Sequence, residues 1–252
     1  MFEKQFVHNI KNQPMKKSAL LILLFVLGSA LLFSQNMDEK NGPWRSTYPD
    51  GSVKSTGQFN HNIPYGEFIH YYKSGIKQSV TVFENQGIQA RNSTWYESGN
   101  LMAEGKYFNK QKDSTWSYYG DSIDQLIAVE QYTMGKLEGR SITYYPGTTQ
   151  AAEIILYHNG IKQGELRKYF PDGQVMTEGT YLNDKLEGPF TLYYPDGSTQ
   201  LKGIYENGEQ AGEWKYYSIA GKEITYEEFI YQQSTSIEAD DPDKSGEKIQ
   251  PF

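Results

Sequence analysis

The chain has 252 residues, no cysteine and a formal net charge of −7 at pH 7. The lack of cysteine excludes disulfides, thiolate-bound zinc or iron–sulfur sites, thiol nucleophiles and the lipidated N-terminal cysteine of bacterial lipoproteins. Apolar residues make up only 37% of the chain, whereas tyrosine occurs 21 times. Because ordinary soluble domains are roughly 45–50% apolar, this composition disfavours a globule with a deep aliphatic core.

The N-terminal segment has the pattern of a secretory signal peptide. Met15 is followed by two lysines, by a mostly apolar run from Ser18 to Phe33, and by the small residue Ser34. We therefore predict a signal peptide over residues 1–34, with Met15 as the true start, and a short linker over residues 35–41. An uncleaved membrane anchor is the alternative, although the apolar run is shorter than the ~20 residues that span a bilayer.

Export places the protein in the periplasm, on the outer membrane surface or outside a Gram-negative cell. Cleavage would remove four basic residues and one acidic residue, which leaves 20 basic and 30 acidic residues and a net charge of −10. Nucleic acids and anionic lipids bind basic surfaces, so neither is expected as a partner. Membrane attachment is expected only through an uncleaved anchor.

An aromatic column shows that the chain is built from repeats. Its successive spacings are 24, 24, 25, 25, 24, 24 and 24 residues, at positions Phe59, Phe83, Tyr107, Tyr132, Tyr157, Tyr181, Tyr205 and Phe229. A fixed period of this length indicates small supersecondary units that stack in a line, because one unit cannot bury its own surface. We count eight units, of which two are degenerate: Ala90 replaces the usual opening glycine, and residues 113–132 keep little of the pattern.

Each regular unit is predicted to form a β-hairpin. Aromatic and β-branched residues alternate with polar ones on both sides of a Pro-Asp-Gly turn, as at 171–173 and 195–197. Asn-Gly pairs such as Asn159-Gly160 then turn the chain into the next unit. The predicted fold is all-β: an elongated single-layer antiparallel meander of tandem hairpins over residues 42–231. A disordered acidic tail is predicted over residues 232–252.

Period-two geometry divides the predicted strands into two faces. The third residue of a unit, such as Phe68, and the seventh, such as Tyr72, share one face, so the tyrosine between them points to the other. A row of tyrosines on that other face is the candidate binding surface: Tyr71, Tyr144, Tyr169, Tyr193 and Tyr217. Glycines at positions 57, 105, 179 and 203, two residues before the aromatic column, are predicted to let a neighbouring ring lie over the backbone.

The pattern of glycine, aromatic, Tyr-Tyr and glycine, followed by Gly-x-Tyr-x-Asn-Gly, resembles the bacterial variant of the MORN repeat. The resemblance extends from Gly42 to about Tyr231 and is clearest over residues 179–217. It implies a single-layer antiparallel sheet. Relatives include phospholipid-associated scaffolds in eukaryotes and bacterial proteins labelled as antitoxin components of toxin–antitoxin pairs.

The sequence offers no catalytic, cofactor or metal site. His61, His70 and His158 stand at different phases of the repeat, with no spacing typical of a zinc site or a catalytic triad. Three glutamates that follow opening glycines, Glu67, Glu165 and Glu213, could line up as a calcium ladder, but the calcium-loop pattern is missing and a solvated face is the preferred interpretation. We therefore expect a protein that is not an enzyme and has no cofactor.

Three functions remain compatible with these residues. The leading hypothesis is an interaction or scaffold protein of the cell envelope that recruits a protein partner through the aromatic face or by strand addition at a sheet edge. The second is an antitoxin or immunity protein that masks a toxin. The third is an enzyme acting on glycans through paired carboxylates, such as Glu165 or Glu213. A glycan or lipid also remains open as a ligand of the tyrosine row.

Overall fold

The computed structural model describes residues 39–122 and 125–240, which form one open antiparallel sheet in meander order and one helix. The sheet confirms the predicted all-β meander of hairpins. The predicted signal peptide, residues 35–38 of the linker and residues 241–252 of the predicted tail lie outside the described residues. In the described part of the chain, no helix is long and apolar enough to cross a membrane.

The sheet has seventeen strands in the described residues, and each pairs with the next along the chain, except that β12 pairs with both β13 and β14. They are β1 (Gly42–Thr47), β2 (Val53–Asn60), β3 (Ile63–Tyr71), β4 (Lys77–Glu84), β5 (Gln89–Trp95), β6 (Leu101–Phe108), β7 (Gln111–Gly120), β8 (Gln125–Thr133), β9 (Lys136–Tyr144), β10 (Ala151–His158), β11 (Ile161–Tyr169), β12 (Val175–Leu182), β13 (Lys185–Leu186), β14 (Gly188–Tyr193), β15 (Thr199–Glu206), β16 (Glu209–Tyr217) and β17 (Glu223–Ile224). Helix α1 follows at Tyr226–Asp240.

The hairpin tips have the turn chemistry that Pro-Asp-Gly predicts. In the first unit, the Gly51 amide donates to the Tyr48 carbonyl at 2.9 Å, and the Tyr48 amide donates to the Ser52 carbonyl at 2.9 Å. Gly51 has a φ of 86°, which a residue with a side chain rarely adopts. This is a type I turn closed by a glycine bulge, and the same pair of hydrogen bonds recurs at Phe170 and Tyr194.

The turns between units are of a different type. Both central residues have positive φ, as in a type I′ turn: 58° and 85° at Asn159-Gly160, and 53° and 87° at Asn207-Gly208. Asn183-Asp184 has the same conformation, with φ of 52° and 66°. The predicted role of Asn-Gly and its relatives is thus confirmed, because these turns match the twist of antiparallel strands.

Neighbouring units are joined by an aromatic ring that lies over a glycine backbone. A Cβ atom on Gly105 would lie 2.3 Å from the Trp116 ring, and one on Gly57 would lie 2.3 Å from the Phe68 ring. Trp116 and Phe68 are buried, with 2% and 6% of their surface exposed. The predicted close approach of rings to these glycines is therefore confirmed, and the third-position rings Phe68, Trp116, Phe190 and Trp214 pack on the preceding unit.

Where the glycine is missing, the ring is missing too. Thr81 is paired with Asn92, and the Asn92 side-chain amide donates to the Thr81 hydroxyl at 2.8 Å. Glu130 is paired with Ser141, and Ile155 with Leu166. A side chain at the glycine position is thus matched by a residue without an aromatic ring in the next unit, which leaves room for both side chains.

Both degenerate units form complete strands, but the backbone differs between them at the position of the missing opening glycine. Ser114 stands where six other units have glycine and takes a φ of 59°, in the left-handed region that the glycines occupy. Ala90 instead follows a longer connection, the 3₁₀ turn Asn85–Gly87, and β4 pairs with β5 without a register shift. The apparent slip of the repeat is therefore a local change of turn.

The C-terminal end differs from the prediction. Residues 226–240 form helix α1, so Phe229 of the aromatic column is on a helix rather than a strand, and residues 232–240 of the predicted tail are helical. The Glu228 amide donates to the Thr225 hydroxyl, and the Glu228 carboxylate accepts from the Thr225 amide at 2.9 Å. This capping box starts the helix. Phe229 stays buried because its ring packs 5.1 Å from the Tyr216 ring.

The contact between ring and glycine can be tested by replacing Gly105 and Trp116 with threonine and asparagine, the pair that occurs naturally at Thr81 and Asn92. Gly105→Thr alone is expected to destabilise the protein by about 1–3 kcal/mol, since its side chain overlaps Trp116. In Gly105→Thr/Trp116→Asn, we expect a favourable coupling of about 1 kcal/mol in a double-mutant cycle measured by urea unfolding. Additive effects of the two substitutions would contradict this account of the contact.

Candidate binding face

The predicted tyrosine row is one continuous feature of the sheet. Each of its members is the last paired residue of the first strand of a hairpin, as shown by the pairs of Tyr71 with Lys77 and Tyr193 with Thr199. The structure adds two members that the sequence analysis missed, so that the full row, called the stripe below, is Tyr71, Trp95, Tyr119, Tyr144, Tyr169, Tyr193 and Tyr217. All seven side chains are half-buried.

The sequence spacing of the two missed residues could have identified them. Trp95 and Tyr119 follow Tyr71 at intervals of 24 residues, the spacing of the aromatic column. They were overlooked because both lie in the degenerate units, where the opening glycine is replaced. The spacing of the stripe was thus a better guide than the glycine motif.

A ladder of tyrosine hydroxyls fixes the backbone behind the stripe. Tyr48, at the tip of the first hairpin, donates its hydroxyl to the Tyr71 carbonyl at 2.7 Å, and Tyr72 donates in the same way to the Trp95 carbonyl at 2.8 Å. Further rungs join Tyr96 to Tyr119, Tyr145 to Tyr169 and Tyr194 to Tyr217, at 2.6–2.9 Å. Each rung crosses from one unit to the next, so the hydroxyl ladder aligns successive stripe residues.

Two positions interrupt this hydroxyl ladder. Gly120 stands in place of the tip tyrosine in one degenerate unit, and Phe170 stands there in a regular unit. The Phe170 backbone has the same turn hydrogen bonds as the tyrosines, to Gly173 and Gln174. A hydroxyl on this ring would therefore be directed at the Tyr193 carbonyl, as its counterparts are.

Charged side chains around Tyr193 on the stripe face contact one another. The Arg167 guanidinium lies 2.6 Å from the Glu165 carboxylate and 3.7 Å from that of Glu178. Glu178 also accepts the Tyr193 hydroxyl at 2.9 Å. Burial and the neighbouring Glu178 carboxylate raise the pKa of Tyr193. Tyr193 is therefore uncharged at neutral pH and is flanked by one guanidinium and two carboxylates that contact one another.

The degenerate units show the same arrangement at a second place. The Tyr119 hydroxyl donates to the Glu104 carboxylate at 2.8 Å, and Glu104 corresponds to Glu178 in the repeat. Beside Trp95, a shallow depression in this face is lined by Val80, Val82 and Ser93 together with charged side chains such as Arg91 and Lys106. The face thus combines aromatic, aliphatic, hydroxyl and charged groups, a mixture that suits contact with a macromolecule.

The opposite face contains a polar cluster among the aromatic rings. The Lys112 ammonium donates to the Tyr118 hydroxyl at 2.7 Å and lies 4.6 Å from the Trp116 ring centre. The Tyr132 hydroxyl donates to the Glu130 carboxylate at 2.7 Å. Burial, the Tyr132 hydroxyl and the Glu130 carboxylate raise the pKa of Tyr118. These groups bond to one another, so the cluster fills the core of a degenerate unit with polar contacts.

The histidines and glutamates considered from the sequence do not converge on a site. His70 Nδ1 lies 2.6 Å from the Ser55 hydroxyl, and His158 Nδ1 lies 2.8 Å from the Glu138 carboxylate. His61 is exposed and contacts the Asn60 side chain. Within residues 39–122 and 125–240, no group of three or more His, Asp and Glu side chains could hold a metal ion.

Two segments match the model of the MORN repeat variant: residues 162–183 and 186–207. They lie in strands β11 and β12 and in strands β14 and β15, in the regular part of the sheet, and they begin 24 residues apart. The match supports the predicted repeat type. No curated protein sequence matches the chain. MORN repeats are generally non-catalytic modules that contact proteins or membranes.

The hydroxyl ladder predicts that its missing rung can be restored. Phe170→Tyr is expected to stabilise the protein by about 1 kcal/mol, because it adds a hydrogen bond to the Tyr193 carbonyl. The reverse change, Tyr194→Phe, removes an existing rung and is expected to cost a similar amount. Urea unfolding measures both variants. If Tyr194→Phe destabilises the protein but Phe170→Tyr adds nothing, the rung cannot form at this position.

The half-buried tyrosines of the aromatic column predict a loss of stability at alkaline pH. Burial raises the pKa of Tyr107 above its ordinary value, and the pKa values of Tyr132 and Tyr157 are raised with burial as the main cause. The unfolded chain ionises these phenols near pH 10, whereas the folded chain keeps them neutral to higher pH. Stability is therefore fully present below about pH 10 and falls as the pH rises further.

Urea unfolding between pH 7 and pH 11 tests this pH dependence. Tyr107→Phe is the matched variant, because burial is the cause of the raised pKa of Tyr107. The variant should lose stability less steeply above pH 10 than the parent chain. Equal slopes for the two proteins would contradict the assignment.

Proposed function

We propose that the chain is an exported, non-catalytic scaffold of the bacterial cell envelope that recruits a protein partner onto the stripe. One observation carries the proposal: seven aromatic residues occupy equivalent, partly exposed positions on one face of a continuous sheet. Aromatic residues, tyrosine and tryptophan above all, are enriched in the centres of protein interfaces.

The rigidity of the stripe supports recruitment of a partner. Five hydroxyl-ladder bonds hold the backbone of stripe residues across unit boundaries. A ring whose backbone is already fixed loses little further freedom on binding, so more of the contact energy appears as affinity. The match of two units to a generally interacting repeat points to the same class of function.

The edges of the sheet are the other surface that could recruit a partner, by strand addition. At the C-terminal end, β17 pairs with Tyr216 and Tyr217 of β16, and α1 packs against the same strand through Phe229. This cover blocks part of the C-terminal edge, while β1 at the other edge pairs only with β2 among the described strands. We assign recruitment to the stripe because its side chains recur along the array.

Export is part of the proposal and is supported by the sequence. Two lysines after Met15, the apolar run to Phe33 and the small residue Ser34 form a signal peptide pattern. In the envelope, a chain with the acidic charge left by cleavage would stay away from anionic lipid and remain available to a protein. The antitoxin role is the alternative, in which the same face masks a toxin.

Affinity capture from envelope fractions tests the proposed function. The tagged full-length chain should retain one stoichiometric protein, Tyr193→Ala should lose it, and Tyr231→Ala should keep it. Tyr231 is a suitable control because it is 70% exposed and lies on α1, outside the stripe. Recovery of the chain from the cytosol alone, or capture that is indifferent to Tyr193, would refute the proposal. A captured toxin would instead support the antitoxin alternative.

A further inference from the structure

The spacing of the stripe defines the geometry that a partner must match. Successive members are two strands apart, and neighbouring strands of a sheet are separated by 4.7–4.9 Å, so the rings repeat about every 9.6 Å. The stripe runs across the strands, from hairpin to hairpin. A linear partner that contacts every ring must therefore repeat its own contacts at about this distance.

Among the regular conformations of a polypeptide, polyproline II matches this repeat. It has three residues per turn and a rise of 3.1 Å per residue, so it advances about 9.3 Å per turn. Two turns of an α-helix advance about 10.8 Å, and a β-strand returns to the same face after about 6.8 Å. Over three successive rings, polyproline II stays in phase to within about 1 Å, while the other two drift out of phase.

We infer that the section of the stripe formed by Tyr169, Tyr193 and Tyr217 binds a proline-rich segment of the partner in the polyproline II conformation. The inference rests on the proposed function and names the chemistry of the partner. This section is chosen because it lies in regular units, where strands β11–β16 repeat the same turns and register shifts.

The charges of this section suit an uncharged ligand. Glu165 and Glu178 are both engaged by Arg167, and Lys215 lies 3.3 Å from the Glu223 carboxylate. Glu213 adds one exposed carboxylate on the same strand as Lys215. Most of the other charges are paired, and paired charges attract a charged peptide only weakly. A proline-rich segment without charges suits such a surface.

The chemical groups of the section match those of a polyproline II helix. Proline rings pack against aromatic faces, and the backbone carbonyls of this conformation make no internal hydrogen bonds and can accept from a binding surface. The Lys202 ammonium lies 5.6 Å from the Tyr217 ring centre and can donate to such a carbonyl. Each groove between two rings would hold one proline, with a proline at every third position of the ligand.

Titration with synthetic peptides tests this inference. Nonaproline with blocked ends, which is uncharged and adopts polyproline II, is titrated into the purified full-length chain carrying ¹³C-labelled tyrosine. We expect saturable shifts of the Tyr169, Tyr193 and Tyr217 ring signals. A blocked Gly-Ser peptide of the same length, which is flexible, should bind at least tenfold more weakly, because it must lose more freedom.

Matched variants locate the site. Tyr193→Phe keeps the ring and should retain affinity within about threefold, whereas Tyr193→Ala should lose about tenfold or more. Tyr231→Ala should bind as the parent chain does. Circular dichroism confirms that each variant is folded, and Tyr217→Ala replaces Tyr193→Ala if the latter fails to fold.

Three outcomes would overturn the inference: no ring shifts at about 1 mM nonaproline, equal binding of the flexible peptide, or saturable binding of a chitin oligosaccharide in place of nonaproline. The proposed function has a separate test, since a partner whose capture depends on Tyr193 but which lacks proline-rich segments would uphold the scaffold role and refute the polyproline II ligand. Loss of both the capture and the peptide binding would remove the two proposals together.

Discussion

The contact between an aromatic ring and the glycine of the preceding unit holds the sheet together. A hairpin of 24 residues has too little apolar surface to fold alone, so each unit depends on the surface of its neighbour. The rings of Phe68, Trp116 and Trp214 approach Gly57, Gly105 and Gly203 more closely than any side chain on these glycines would allow. Everything on the other face, including the stripe, depends on the register that these contacts impose.

The degenerate units show how much variation this constraint tolerates. Where glycine is replaced by Thr81, the opposing residue is Asn92 and a hydrogen bond takes the place of the ring, and where it is replaced by Glu130, the opposing residue is Ser141. Such polar contacts contribute less than burial of a ring, since each exchanges a bond to water for one within the protein. The middle of the array thus combines the polar pair of Thr81 and Asn92 with the packing of Trp116 on Gly105.

Much of the fold was predictable because it depends on local rules that repeat. The two turn types follow from Pro-Asp-Gly and Asn-Gly, and the period of the aromatic column sets the unit length. Helix α1 was missed because Phe229 continues the column at the same spacing, although the capping residues Thr225 and Glu228 were present in the sequence. Periodicity reports which residues are buried and cannot say whether a strand or a helix buries them.

The candidate site was only partly predictable. Alternation along the strands gave five of the seven members of the stripe, since the side of a sheet follows from counting residues. The hydroxyl ladder could not be predicted from the sequence. The hydrogen bond from the Tyr48 hydroxyl to the Tyr71 carbonyl depends on the twist between neighbouring units as well as on their residues. Partner chemistry likewise required the spacing between rings, which only the sheet supplies.

The length of the stripe depends on the number of repeat units, which can change during evolution. Duplication or loss of one in-frame unit would add or remove one ring of the stripe and leave the contacts of the remaining units unchanged, because each unit touches only its neighbours. The capping helix α1 would remain at the end of the array whatever the number of units before it. The length of the stripe, and with it the length of the partner segment that it can bind, would then depend on the number of repeat units in the gene.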